Sequence, residues 1–196
     1  MSNGAFAFTV EDWWTWAAGR ETRKSWQDWA IGRDAAAGES DNTLPAALRR
    51  RITPIGRRLL QAGTMCAGSE PEPLYVFASR HGEMTRTLSI LTGITGRNEV
   101  SPADFSLAVH NALAGLLSIH FRNTLGHTAL AGGPDTFAYG FMEALACLRE
   151  EPGRPVFYCY GDAPLPSPYA DFSHTDKGLP LVVALVLRSA QPGDPH

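Results

Sequence analysis

Two uninterrupted apolar runs, VFYCYG at 156–161 and LVVALVL at 181–187, constrain the fold of this chain more than any other feature. Neither run alternates with charged residues, so neither suits a sheet surface with one face in water. Each predicts a strand covered on both sides. Covering a sheet on both faces takes helices, and three apolar stripes at helical spacing supply them. Leu48, Ile52, Ile55, Leu59 and Leu60 form one, with Pro54 suited to an early helical turn. Leu113, Leu116, Leu117 and Phe121 form the second, and Phe137, Phe141, Ala144, Leu145 and Leu148 the third. AFAFTV (5–10), EPLYVFAS (72–79) and HTALAG (127–132) read as further strands, and EPGRP (151–155) breaks the third helix. Strands alternating with helices predict a layered α/β domain, βαβαβαββ in order, with a mostly parallel five-stranded sheet and helices on both faces.

A chain of 196 residues with 44% hydrophobic and 19% charged residues fits one domain, 1–196, with a sizeable core. All five tryptophans fall within a segment, 11–43, whose spacing does not decide between helical and loop faces. They either form a partner surface or cover one end of the sheet. The net charge of −3 argues against a general nucleic-acid binder. Cys147 and Cys159 read as small buried apolar residues, and no CxxC spacing exists. No signal-peptide pattern opens the chain, and LPLVVALVL is too short to span a membrane, so a soluble cytoplasmic protein is expected. No metal-ligand spacing stands out, and AGG at 131–133 does not extend into GxGxxG. No cofactor is expected.

TALAGGPDTFAYGFMEALACL (128–148) reads as strand, tight turn and amphipathic helix. Many enzymes place a nucleophile at such a bend, where N–H groups and the positive helix end converge. Here the bend reads Gly132, Gly133, Pro134, Asp135, Thr136, with neither cysteine nor serine. Asp135 or Thr136 is expected to cap the helix instead.

Several stretches resemble, in chain order, the β-ketoacyl synthases. LRRRITPIGRRLLQAG resembles their arginine-rich first helix, and SPADFSLAVHNALAGLLSIHFRNTLG resembles their loop and helix with a central Asn-Ala-x-Ala-Gly. TALAGGPDTFAYGFMEAL sits where those enzymes carry Thr-Ala-Cys and the helix behind it. PVFYCYGDAPLP sits where they have a strand ending in Ala-Gly-Gly and an acidic residue. The combination over residues 44 to 188 is similar to a short subgroup, the β-ketoacyl synthase-like N-terminal proteins, which includes chain-length-factor-like subunits of aryl polyene biosynthesis.

The resemblance implies a thiolase-like half fold. It places the family's catalytic cysteine near Pro134, so Gly133, Pro134, Asp135 and Thr136 mark a vestigial nucleophile position. The family's catalytic histidines belong to a C-terminal half with no counterpart here. It further implies that His127, Thr128, Ala129, Leu130 and Ala131 form a strand that pairs with a full-length β-ketoacyl synthase in a heterodimer. Phe105, Leu107, His110 and Asn111 would lie against that partner's acyl tunnel, unless they simply pack this chain's own core. Arg49, Arg50, Arg51, Arg57 and Arg58 would contact an acyl carrier protein, or form a solvated helix face with internal ion pairs. Asn111 alternatively fixes a loop. The expected function is a non-catalytic partner subunit in fatty-acid or aryl polyene synthesis. Two alternatives stay open: a small acyl-thioester transferase or hydrolase using Thr136 or a nearby histidine, and an acyl-carrier-binding module without an enzyme partner.

Overall fold

The computed structural model describes residues 6–33, 44, 49, 51–66, 72–172 and 180–191. The described chain runs β1 (Phe8–Ala17), α1 (Arg23–Ala30), α2 (Pro54–Cys66), β2 (Leu74–Ala78), α3 (Met84–Thr95), α4 (Pro102–Ser106), α5 (Ala112–Phe121), β3 (His127–Leu130), α6 (Thr136–Glu150), β4 (Val156–Asp162) and β5 (Leu181–Ser189). Single 3₁₀ turns occupy Gly133–Asp135 and Tyr169–Phe172. The five strands form one sheet in the order β1-β5-β4-β2-β3.

The sheet is mixed, which corrects the mostly parallel expectation. β2 pairs parallel with β3 and β4, while β5 pairs antiparallel with β4 and β1. The reason lies in the connections. A parallel neighbour needs a crossover helix, and the sequence between β4 and β5 carries Pro164, Pro166, Pro168 and Pro180 in place of an apolar helical stripe. Chain leaving β4 without that crossover returns beside it in the opposite direction.

Both faces are covered, as the two apolar runs require. Tyr75, Phe77, Phe157, Cys159, Ala184 and Val186 face α2 and α5, joined by Leu59, Leu60, Leu113 and Leu117. Val76, Ala78, Val156, Tyr158 and Leu187 face α6 through Ala144 and Leu148. Burial of each large apolar side chain contributes on the order of 2 kcal/mol. Glycines set how closely the layers approach. A Cβ on Gly140 would stand 2.6 Å from Ala78 Cβ, and one on Gly63 would stand 2.4 Å from Leu117 Cδ1.

The first strand starts later and runs further than AFAFTV, so Trp13, Trp14 and Trp16 lie on a strand, not on a helical or loop face. Trp14 is buried under the sheet edge. Trp26 and Trp29 lie on α1, edge to face at 5.6 Å, with the Arg20 guanidinium over the Trp29 ring at 4.8 Å. The stripe through Leu113, Leu116, Leu117 and Phe121 lies on α5, and a short helix, α4, precedes it, separated from it at 107–111. Helix α3 had no counterpart in the sequence reading.

Candidate functional site

The bend at 132–136 follows the edge strand and leads into α6. Gly133 takes a φ of +62°, a conformation glycine reaches without strain, and a single 3₁₀ turn follows. Thr136 is buried, and its hydroxyl is used twice by backbone. Oγ1 donates to the Gly133 carbonyl at 2.7 Å and accepts from the Gly132 N–H at 2.9 Å. The expected helix cap is therefore corrected: Thr136 ties the chain back across the 3₁₀ turn, and Asp135 makes no side-chain capping bond. The Tyr158 hydroxyl donates to the Phe137 carbonyl at 2.7 Å, fixing the first helical turn to β4. Pro134 and Asp135 stand exposed at this helix start.

Among the described strands β3 is terminal in the sheet, paired on one side only, with β2. The Ser79 N–H donates to the Leu130 carbonyl at 3.2 Å. Leu130 and Thr128 therefore turn their backbone groups toward β2, and His127 and Ala129 turn theirs to the open side. Ala131 follows beyond the strand end and is exposed.

Two predicted groups converge here. His110 Nε2 lies 3.0 Å from the Leu130 carbonyl oxygen, and Asn111 Nδ2 lies 3.4 Å from His127 Nε2. His110 and Asn111 thus lie against the edge strand. Phe105 is 62% exposed, so its ring does not pack this chain's own core, whereas Leu107 is half-buried.

The described arginines differ in their surroundings. The Arg58 guanidinium lies over the Trp16 ring at 4.7 Å and bonds Glu21 at 3.3 Å and Gln61 at 3.0 Å. Arg57 Nε donates to the Ile52 carbonyl at 3.2 Å. Arg51 is exposed and Arg49 half-buried. Arg50 lies outside the described residues. Internal pairing is what Arg58 displays.

Sequence reasoning missed the polar cluster at the carboxyl ends of β2 and β4. Asp162, noted only as an acidic residue at a strand end, accepts from Ser79 Oγ at 2.9 Å and from the Arg80 and His81 N–H groups at 2.7 and 3.0 Å. Ser79 Oγ in turn accepts from the Gly82 N–H at 2.8 Å. At Gly82, where φ is +56°, a Cβ would stand 2.9 Å from His110 Nδ1. Only glycine lets the loop come that close to the imidazole. Asp162 therefore holds the loop that braces His110, which in turn touches β3.

Glu83 ends that loop with a side chain only 5% exposed. Thr53 Oγ1 donates to its Oε1 at 2.8 Å, and Oε2 has no hydrogen-bond partner. Burial raises the Glu83 carboxyl above its ordinary range, opposed by the Thr53 bond and the nearby Arg86 charge. No short sequence pattern marks this residue, because its burial comes from chain brought together across 53–110.

Cys66 and Cys159 are buried and Cys147 half-buried, which corrects the expectation that Cys147 is a core residue. Burial pushes the Cys66 thiol up to about 12 and raises those of Cys147 and Cys159. All three are held as thiols, away from the bend. Among the described residues no group of three or more His, Cys, Asp and Glu is placed to hold a metal ion. No described helix is long and apolar enough to cross a membrane.

Residues 26–194 match the family model described as β-ketoacyl synthase, N-terminal domain. This chain belongs to that family. Among solved structures, the β-ketoacyl synthase-family chain is similar to one of the ketosynthase ApeO in complex with its chain length factor ApeC from Xenorhabdus doucetiae. Identity there is 26% and the TM-score 0.84, over 95% of this chain and 80% of that one. It also resembles a β-ketoacyl synthase from Burkholderia phymatum STM815, at 11% identity and a TM-score of 0.65, over 95% of this chain and 60% of that one. The ishigamide ketosynthase/chain length factor matches at 11% identity and a TM-score of 0.60, over 95% and 59%. The latter two establish the fold alone. No curated protein sequence gives a significant match.

Proposed function

We propose that this chain is a non-catalytic ketosynthase homologue that pairs through β3 with a full-length β-ketoacyl synthase, as a chain-length-factor-like subunit in fatty-acid or aryl polyene synthesis. The observation that carries the reading is an edge strand with one open side, leading into a bend whose hydroxyl is already bonded twice to backbone. A condensing site needs a thiolate, or a hydroxyl beside a free base, at that bend. Thr136 offers neither: its hydroxyl donates its proton in a hydrogen bond to the Gly133 carbonyl, and the residue is 1% exposed. The open side of β3 offers main-chain bonds to a second strand. The similarity to a chain of the ApeO–ApeC complex supports a ketosynthase as that partner.

In this reading His127 to Ala131 form the paired edge. Phe105, Leu107, His110 and Asn111 face the partner's acyl tunnel, where exposed bulk at Phe105 limits the length of chain accommodated. An acyl carrier protein then meets the assembled pair rather than the arginines of α2, since Arg57 and Arg58 are engaged within the chain.

Co-expression with a full-length ketosynthase of the same genome, followed by size-exclusion chromatography and native mass measurement, tests this. A one-to-one complex, with product chain lengths that change when Phe105 becomes Ala, is the expected result. Failure to co-purify, together with unchanged products when this chain is left out, contradicts it.

A further inference from the structure

Among the described helices of two turns or more, α3 alone has no buried residue. Its twelve residues nevertheless include Met84, Leu88, Ile90, Leu91 and Ile94. Leu91 is 43% exposed and Ile94 56%. Three positions apart, these two side chains share one side of the helix. A helix left in water ordinarily carries charge on its outer face, yet no residue from Thr87 to Gly96 is charged. A helix of this length is also marginal by itself, and takes its stability from packing an apolar face. Here the packing is chiefly against α4. Arg86 pairs with Asp104 and donates to the Arg51 carbonyl, which ties down the first turn of α3. Leu91 and Ile94, further along, are left to solvent.

The edge strand is small for a specific complex. β3 has four residues, whereas a stable interface takes roughly 20–30 residues and about 800 Å² from each partner. The pairing therefore needs further surface, and a series of contacts leads from β3 to α3. His110 and Asn111 meet Leu130 and His127 of the edge strand. Val109 and Phe105, just before them, are both exposed. Asp104, next to Phe105, holds Arg86 of α3. The exposed apolar side chains along this series, with an uncharged helix at its end, have the composition of an interface centre, where charged residues are depleted.

We infer that α3 is a second docking element for the full-length β-ketoacyl synthase, its Leu91 and Ile94 entering an apolar groove of that partner. The inference rests on the pairing through β3 proposed above and adds a helix-in-groove contact to it. In the free chain, α3 has few packed neighbours and should open readily. In the complex, the partner supplies the apolar cover that this chain lacks.

The test uses the full chain and the full-length ketosynthase of the same genome. Hydrogen–deuterium exchange across 88–95 should be fast in the free chain and slow in the complex, together with slowing at 127–131. Leu91→Glu combined with Ile94→Glu should weaken binding at least about tenfold in a titration. Ser89→Glu combined with Thr92→Glu places the same charge on the other side of the helix and should bind within about twofold of the native chain. Should the first pair disturb the helix by circular dichroism, Leu91→Ala with Ile94→Ala, which favours it, should still weaken binding at least about threefold. Protection at 127–131 with exchange across 88–95 unchanged would overturn the docking of α3 and leave the strand pairing intact. Native affinity in the Leu91 and Ile94 variants, or equal loss in the Ser89 and Thr92 variant, would do the same. Absence of any complex would overturn the strand pairing, and this inference with it.

Discussion

The Thr136 hydroxyl closes the bend by accepting one backbone hydrogen bond and donating another, and both bonds lie in a buried position. Thr136→Val keeps the shape and leaves the Gly132 N–H and the Gly133 carbonyl without their partner, so chemical denaturation should show a loss of about 1–3 kcal/mol. Thr136→Ser should lose less. Incubation with an acyl-thioester should leave the mass of the chain unchanged, and an adduct abolished by Thr136→Ala would favour the enzymatic alternative. A second residue-scale prediction concerns pH. Cys66 has a folded pKa of about 12 against an ordinary 9.0, chiefly because burial disfavours the thiolate. With the folded pKa raised, the thiol's contribution is complete below pH 9 and falls as pH rises toward 12, because only the unfolded chain ionises there. The slope is at most about 1.4 kcal/mol per pH unit for this one group. Urea midpoints measured from pH 8 to 11 should fall more steeply in the native chain than in Cys66→Ala.

At the scale of elements, the sheet and three helices are legible in the sequence because burial writes itself there as pattern. Strand β4 and strand β5 appear as unbroken apolar runs, and α2, α5 and α6 as stripes, since each packs on the sheet. What pattern does not carry is what burial does not determine. Helix α3 contains no buried residue, and Leu91 and Ile94 are exposed, so no stripe marks it. In β1 a bulge between Val10 and Asp12 shifts the pairing register, and the regular alternation of the strand is lost just before the tryptophans. Strand direction was also hidden, because an apolar run reads the same either way. The edge strand β3 yields an element-scale prediction. Ala129 turns its N–H to the open side, so Ala129→Pro removes a donor that the fold itself does not use. The isolated chain should keep its helical and strand content by circular dichroism, while co-purification with the synthase should drop at least about tenfold.

Across the whole molecule, the parts of the candidate site that were readable were those contiguous in sequence: the bend at 132–136, the edge strand, and 105–111, whose His110 and Asn111 reach it. Their convergence, through His110 on Leu130 and Asn111 beside His127, is a product of the fold. The Asp162–Ser79–Gly82 brace and the buried Glu83 were invisible for the opposite reason, since their partners come from segments up to 83 residues apart. Together these parts make a chain with a closed bend, an open sheet edge and an exposed aromatic at Phe105, the features on which the proposed pairing with a second subunit rests. Hydrogen–deuterium exchange of the chain, alone and mixed with a full-length ketosynthase, tests that arrangement most directly. The account predicts slowed exchange at residues 127–131 and 105–111 on mixing. Unchanged exchange at 127–131, with protection appearing on α3 or α1 instead, would contradict it.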